Sequence, residues 1–415
     1  MVETTQVPAP PVQAQKERVF ASYSSLLKHR ICPQRWYYAH VRRLAKVDPN
    51  DVKVEMEFGS WWHMLRAADS LARGRELKSL QWWPDELTST DDGPRLPCKN
   101  LDISVVQVMD AARKWWEKQS PATRNVWADR IGEGLPERLW SLQERWAVQW
   151  GAALAQERPL AVELRWERDL PPVMQPGATR TADRVPVDPN VTLIGYVDEI
   201  YEDTLRRIVA ARDHKLKKRL NQQTTADDMM DSQLQLYAWG AAPRVADWGK
   251  KLSATAYDRV RMVKPPTPKV TQMGGLSKSV SDYDLQTYLD WCKTRPTYLG
   301  RKADGSQGGV YEASDAEVAR LSSPAHVSGW FQRTLTPLNV NLIRTHLRAA
   351  VDSALDQSVS YARAEIENAA SRNLANDNCK WCDFAGLCRA EMFGGSQGSF
   401  DLANFGLIEK ERTRR

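Results

Sequence analysis

Asp213-His214-Lys215 follows fifteen residues after a second aspartate, Asp198, which closes the run Gly195-Tyr-Val-Asp198. Side chains at i and i+2 on a strand share a face, so Asp213 and Lys215 project together while His214 points away. Carboxylates from two adjacent strands can share a Mg2+ or Mn2+, because hard divalent ions take oxygen ligands. A lysine beside them can orient or deprotonate a water and offset charge developing on a phosphate. The chemistry is that of phosphodiester hydrolysis. Asp-x-Lys alone is a short pattern that chance supplies often, and its weight comes from the motifs around it.

A second set of reactive side chains is split between the two ends: Cys32, then Cys379, Cys382 and Cys388. Four thiolates complete either a tetrahedral zinc site or an iron-sulfur cluster, so the two ends are expected to meet. The loop closed in this way spans about 350 residues. Its entropy grows only by roughly 0.6 kcal/mol per doubling of length, and a metal site worth on the order of 10 kcal/mol offsets it. Cys98 and Cys292 read as small buried hydrophobes. The chain has neither an apolar run of membrane-spanning length nor a signal-peptide pattern, which points to a cytoplasmic protein without a membrane role. That compartment keeps thiols reduced and favours metal ligation over disulfides. The 58 Lys plus Arg against 52 Asp plus Glu, a net of +6, permit an anionic partner without demanding one.

The elements that must position these groups follow from periodicity. Residues 1–18 read as a flexible arm, Ser22 to Ala45 and Glu55 to Arg73 as helices, and Asp102 to Gln156 as a helical region. Leu139, Leu142, Trp146, Trp150 and Leu154 recur at helical spacing and predict one buried face. Leu164 to Leu170 alternates like a strand, and Pro171 to Pro189 is a loop. Val191 to Tyr201 and Arg206 to Lys215 form a hairpin turning at Glu202-Asp203-Thr204. A helix at Asp228 to Gly240, a strand at Leu252 to Met262, loops at Pro265 to Gly275 and Arg301 to Gly309, and a helix at Leu338 to Ala370 complete the reading, with residues 391–415 as a tail.

Taken in order, Gly59-Ser-Trp-Trp-His63, Gly195-Tyr-Val-Asp198, Asp213-His-Lys215 and Gln233-Leu-Gln-Leu-Tyr237, framed by Cys32-Pro33 and the cysteine trio, resemble the RecB-like branch of the PD-(D/E)xK nucleases. The likeness is to its iron-sulfur exonucleases, such as the AddB nuclease domain and the CRISPR-associated RecB-like exonucleases. It implies an α/β restriction-endonuclease-like core, a mixed sheet flanked by helices, within a nuclease domain over 19–390. That domain would hold a helical insert at about 64–157, a catalytic core at about 160–262 and a C-terminal helical and cluster region at about 310–390.

The resemblance further implies that His63, Asp198, Asp213 and the backbone carbonyl of His214 hold Mg2+ or Mn2+, and that Lys215 assists the attacking water. Gln233 and Tyr237 would lie beside the lysine and the DNA. A 4Fe-4S cluster would occupy the four cysteines, with zinc as the alternative. Arg212, Lys217, Lys218 and Arg219 form a basic run that could hold the phosphate backbone. The expected activity is cleavage of DNA, mostly single strands with free ends, in recombination, repair or replication, with a recombination or helicase partner. An endonuclease, a non-catalytic DNA-binding module of the same fold and a zinc-stapled scaffold are the competing readings.

Overall fold

The computed structural model describes residues 19–46, 54–74, 86–88, 95–97, 104–174, 186–187, 190–220, 228, 230–269, 276–277, 282–294, 313–367, 372, 379–380, 382–393 and 401–409. The expected arm, Cys98 and the 301–309 loop lie outside these residues. The chain divides into a smaller unit built from 1–46, 167–195 and 347–415 and a larger one from 47–166 and 196–346.

Strand β1 (Val19–Ser22) leads into helices α1 (Tyr23–Ile31) and α2 (Pro33–Trp36), a π-helical turn (Tyr37–Val41) and strand β2 (Leu44–Lys46). The single helix expected here is broken at Cys32, which is extended at φ −161° and ψ 110°, and Pro33 restarts it at the first helical position. The break turns the Cys32 residue out of the helical run.

Helix α3 (Val54–Arg73) and the short strands β3 (Glu86–Thr88) and β4 (Arg95–Pro97) precede three helices, α4 (Val105–Glu117), α5 (Pro121–Ile131) and α6 (Leu135–Leu154). Ser104 opens α4 through a capping box with Gln107, Ser120 caps α5, and Gly132 closes α5 at φ +92°, a left-handed conformation that suits glycine. These local stops divide the expected helical region into three. Leu139, Leu142, Trp146 and Leu154 are buried as the spacing predicted. Trp115 and Trp116 each meet the buried Trp127 edge to face at 5.8 Å between centroids, so this tryptophan load is core.

Strand β5 (Glu157–Asp169) follows, then β6 (Val173–Met174), β7 (Pro186–Val187), β8 (Val191–Asp203) and β9 (Ile208–Lys217). In the larger unit β5 pairs with β8, and β8 runs antiparallel to β9 from Asp203↔Ile208 to Glu199↔Arg212. Helix α7 (Ser232–Asp247) crosses over to β10 (Leu252–Arg261), which is parallel to β9, as a strand–helix–strand crossover requires. Helices α8 (Leu285–Thr294), α9 (Asp315–Ser322) and α10 (Pro324–Val327) precede β11 (Phe331–Pro337), an antiparallel neighbour of β10 that periodicity did not reveal. The core is a mixed sheet flanked by helices.

In the smaller unit β1 lies parallel to residues 191–194 of β8. Helix α11 (Val340–Glu367) is tied to α1: Gln357 Nε2 donates to Ser25 Oγ at 3.0 Å, and His29 Nε2 lies 2.9 Å from Ser360 Oγ. Helix α12 (Ala385–Met392) and a 3-10 turn (Leu402–Phe405) are followed by β12 (Leu407–Glu409). β12 pairs antiparallel with β2, so part of the expected tail is folded. No helix among the described residues is long and apolar enough to cross a membrane.

Candidate active site

Alternation along β9 sorts its polar side chains onto two faces. Asp213 and Lys215 share one: Lys215 Nζ lies 2.8 Å from Asp213 Oδ2 and 3.0 Å from Oδ1. The β8–β9 register stops at Glu199↔Arg212, and the next two positions are Asp198 and Asp213. There the Asp198 carboxylate stands in for the neighbouring strand, with Oδ2 accepting the backbone N–H of His214 at 2.7 Å. The two aspartates therefore sit where the ladder opens.

Two further elements bring ligands to this opening. Helix α3 presents His63, whose Nδ1 is 3.1 Å from Asp198 Oδ2. Strand β5 presents Glu163, whose backbone is left-handed at φ +48°, a conformation an L-residue adopts at a cost of roughly 1–2 kcal/mol. Strain of this kind gathers at functional sites, where the surroundings hold it in place. One ligand atom each of His63, Glu163 and Asp198 lies within 4.8 Å of the others, the spacing of a single ion's shell. Glu163 is absent from the motif-based ligand set. Its one sequence signal is an acid inside the apolar run Leu160-Ala-Val-Glu163-Leu.

The charges respond to this crowding. Burial works against an ionised His63, but the Asp198 carboxylate outweighs it and lifts the imidazole to about 9. Burial likewise opposes the Asp198 carboxylate, and His63 with the His214 amide overcomes it, holding the carboxyl at about 2. Glu163 is pushed up to about 8 by burial and by Asp198, and Asp213 to about 6 by the same two causes, partly offset by Lys215. Burial would discharge Lys215, yet Asp213 and Asp198 raise its pKa and keep it an ammonium. His63, Glu163 and Asp198 converge within 4.8 Å with the Asp213–Lys215 pair beside them, an oxygen-rich set of the kind that a divalent cation takes.

Helix α7 supplies the remaining wall. Asp231 caps it, accepting Gln233 N–H at 2.8 Å through Oδ1 and the Tyr257 hydroxyl of β10 at 2.8 Å through Oδ2. Gln233 Nε2 then donates to Tyr237 Oη at 3.1 Å, and Tyr237 interacts electrostatically with Asp213 and Lys215. Trp166 of β5 meets Tyr237 edge to face at 5.9 Å. A Cβ at Gly240 would lie 2.2 Å from the Trp166 ring, so only glycine allows α7 to approach β5 this closely. Gly240→Ala should therefore displace the ring or the helix, lowering stability by about 1–3 kcal/mol as overpacking does and lowering turnover with it. Denaturant melts alongside activity assays check this, and wild-type values in both would refute the packing argument.

A family model for the PD-(D/E)XK nuclease superfamily matches residues 21–389. The chain belongs to the PD-(D/E)XK nuclease superfamily. No curated protein matches it. Members of this superfamily use divalent metals, and the convergence of His63, Glu163 and Asp198 has the donors for one.

The other face of β9 corrects one expectation. Arg212, expected among the DNA-contacting cations, is fully buried, with Nη2 2.6 Å from Glu157, Nη1 2.8 Å from Glu199 and Nε 3.4 Å from Asp258. Its partners are carboxylates inside the superfamily core, and it has no path to a phosphate. His214 shares that face, buried among Glu199, Asp258 and Trp146, and burial pushes its imidazole down to about 3, so it stays neutral. Lys217 and Arg219 are exposed, and Lys218 is exposed but paired with Glu55 at 2.5 Å.

Within the smaller unit, Cys32, Cys379, Cys382 and Cys388 line one cavity of about 400 Å³. Arg35, Arg372, Lys380 and Arg389 line it too, giving the thiols a cationic surround. The expectation that the two ends meet is met in this geometry.

Proposed function

We propose that the protein is a divalent-metal-dependent exodeoxyribonuclease of the RecB-like iron-sulfur branch, acting in the cytoplasm on free ends of single-stranded DNA during recombination, repair or replication. The observation that carries this reading is the convergence of His63, Glu163 and Asp198 within 4.8 Å, with the Asp213–Lys215 pair at 2.8 Å beside Asp198. His63, Glu163, Asp198, Asp213 and the His214 carbonyl would hold the ion, and an imidazole in an oxygen-rich set favours Mn2+ over Mg2+. A divalent ion there supplies Lewis acidity toward the phosphate.

The protein's own groups do the rest. Lys215, held as an ammonium by its two aspartates, donates from Nζ toward the attacking water and the charge that develops on the phosphate. Gln233 and Tyr237 orient the lysine and the strand, and Lys217, Lys218 and Arg219 neutralise phosphates at the mouth of the site. A recombination or helicase partner would deliver the ends.

Linear end-labelled single strands should be degraded with Mn2+ or Mg2+, while closed circular single strands persist. Raising salt from about 50 to 200 mM should weaken binding steeply if several of those cations touch phosphates. Rapid cutting of the circle would show an endonuclease. No cleavage with either metal would leave the non-catalytic DNA-binding reading in its place.

The cavity shared by the four cysteines supports a bound cluster in the smaller unit. Protein prepared without oxygen should contain iron and acid-labile sulfide, and Cys382→Ala should lose both together with several kcal/mol of stability, on the order expected for a structural metal site. Equimolar zinc without iron would sink the cluster assignment.

A further inference from the structure

A helix cap needs one side-chain oxygen, and Asp231 uses its second one elsewhere. Oδ1 accepts the Gln233 N–H at 2.8 Å, while Oδ2 accepts the Tyr257 hydroxyl of β10 at 2.8 Å. Tyr257 is the partner of Asp213 in the parallel β9–β10 register, and paired positions of neighbouring strands turn their side chains to the same face of the sheet. The hydroxyl therefore rises from the Asp213–Lys215 face to meet the start of α7. Its ring is held in turn. The Arg259 guanidinium lies 4.1 Å from the ring centroid and is itself locked to the fully buried Asp228, with Nη1 3.0 Å from Oδ2, and Thr334 of β11 donates to the same carboxylate. The Asp228 carbonyl accepts the Asp231 N–H at 3.1 Å, so the turn into α7 is tied to the sheet through both aspartates.

We propose that Tyr257 and Asp231 are positioning residues for phosphodiester hydrolysis: through their hydrogen bond, the strand beside Asp213 sets where Gln233 and Tyr237 stand over the Asp213–Lys215 face. This role rests on the nuclease reading of that site. Gln233 Nε2 donates to Tyr237 Oη at 3.1 Å one helical turn on, so a shift of the cap carries both side chains with it. Tyr257 and Asp231 act through Gln233 rather than on the reacting atoms. The buried Asp228–Arg259 pair keeps the tyrosine ring from swinging away, which makes the hydroxyl a fixed point of reference.

A tyrosine that only fills the core needs its ring, whereas this role needs the hydroxyl. Tyr257→Phe keeps the ring beside Arg259 and should lower kcat on linear single-stranded DNA at saturating Mn2+ roughly tenfold, the scale of a small misplacement of a catalytic group, with KM within about twofold of wild type. Asp231→Ala should lose at least as much. Asp231→Asn should recover most of it, because the amide oxygen still accepts the Gln233 N–H and the amide N–H donates to the Tyr257 oxygen. In a Gln233→Ala background Tyr257→Phe should cost nothing further, since the relay is already cut.

The experiment measures kcat and KM on an end-labelled linear strand for the full chain and these variants, after denaturant titration of each. Loss of kcat at unchanged KM, recovery in Asp231→Asn and silence of Tyr257→Phe in the Gln233→Ala background support the positioning role. Wild-type kcat in Tyr257→Phe, a loss confined to KM, or losses that multiply when it is combined with Gln233→Ala overturn that role and leave the nuclease reading standing. No cleavage by the wild type with Mn2+ or Mg2+ overturns both. Should Asp231→Ala fail to fold, Asp231→Ser keeps a capping oxygen without the second one that receives Tyr257, and wild-type kcat in that variant would also overturn the proposal.

Discussion

Asp213→Ala should reduce cleavage of end-labelled DNA by roughly a hundredfold or more, the scale seen when one preorganised charge partner of a transition state is removed. The aspartate holds Lys215 at 2.8 Å and, in the proposed site, would also donate to the metal, so its loss would remove a ligand and let the lysine drift. Lys215→Ala should cost a comparable amount through loss of the Nζ donor. Neither change should unfold the protein. Burial and Asp198 already push the Asp213 carboxyl up to about 6, so its ionised form is an unfavourable presence in the metal-free fold. Asp213→Asn in chelator-treated protein should accordingly melt no lower than wild type, while its nuclease activity falls as in the alanine variant. Wild-type turnover in Asp213→Ala and Lys215→Ala would remove the site assignment altogether.

The largest effect on stability is expected at a buried cation three positions before Lys215. Arg212→Met should destabilise the protein by about 3–5 kcal/mol, because it leaves Glu157, Glu199 and Asp258 without their shared buried partner. The pH dependence carries the same signature. Burial opposes the Glu199 carboxylate, but Arg212 and Arg73 outweigh it and hold the carboxyl at about 2, and Asp258 is held well below the usual range by Arg333 and Arg212 against its own burial. Such depressed groups contribute stability that is fully present above their unfolded value of roughly 4 and is lost as pH falls toward about 2. Without Arg212 the acid-unfolding transition should begin at higher pH. The paired variant Lys217→Met with Arg219→Met should leave stability within about 0.5 kcal/mol and flatten the salt dependence of DNA binding instead. Denaturant titrations at several pH values separate the two outcomes, and an Arg212→Met protein as stable as wild type would show the ion network to be ornamental.

What was legible in the sequence divides by the range of the physics involved. Asp213 and Lys215 were readable because the two-residue repeat of a strand is local, and His214 faces away as that repeat demands. The same repeat places Arg212 on the hidden face with His214, but reading Arg212 to Arg219 as one charge run ignored it. Glu163 was out of reach for a different reason. Its role is set by β5 lying beside β8, a pairing that no local pattern announces, and by a left-handed backbone that only the surrounding packing imposes. Strand β11, Phe331-Gln-Arg-Thr-Leu-Thr-Pro337, alternates too weakly to stand out, and its identity as a strand comes from pairing with β10. The meeting of the four cysteines was legible from stoichiometry alone, since a single thiol at one end and three at the other make sense together.

The division of the chain into its two units sets an order of assembly. All of His63, Glu163, Asp198, Asp213 and Lys215 belong to the unit that ends at His346, whereas Cys388 is among the last cysteines to leave the ribosome. At roughly 5–20 residues per second, the stretch from 347 to 388 emerges about 2–8 seconds after the larger unit is complete. Until then residues 1–46, already synthesised, lack their C-terminal partners. A nascent chain would hold His63, Glu163, Asp198, Asp213 and Lys215 in place while Cys32 still lacks Cys379, Cys382 and Cys388, so the proposed loading of the cysteine site would be a late event in the life of the molecule.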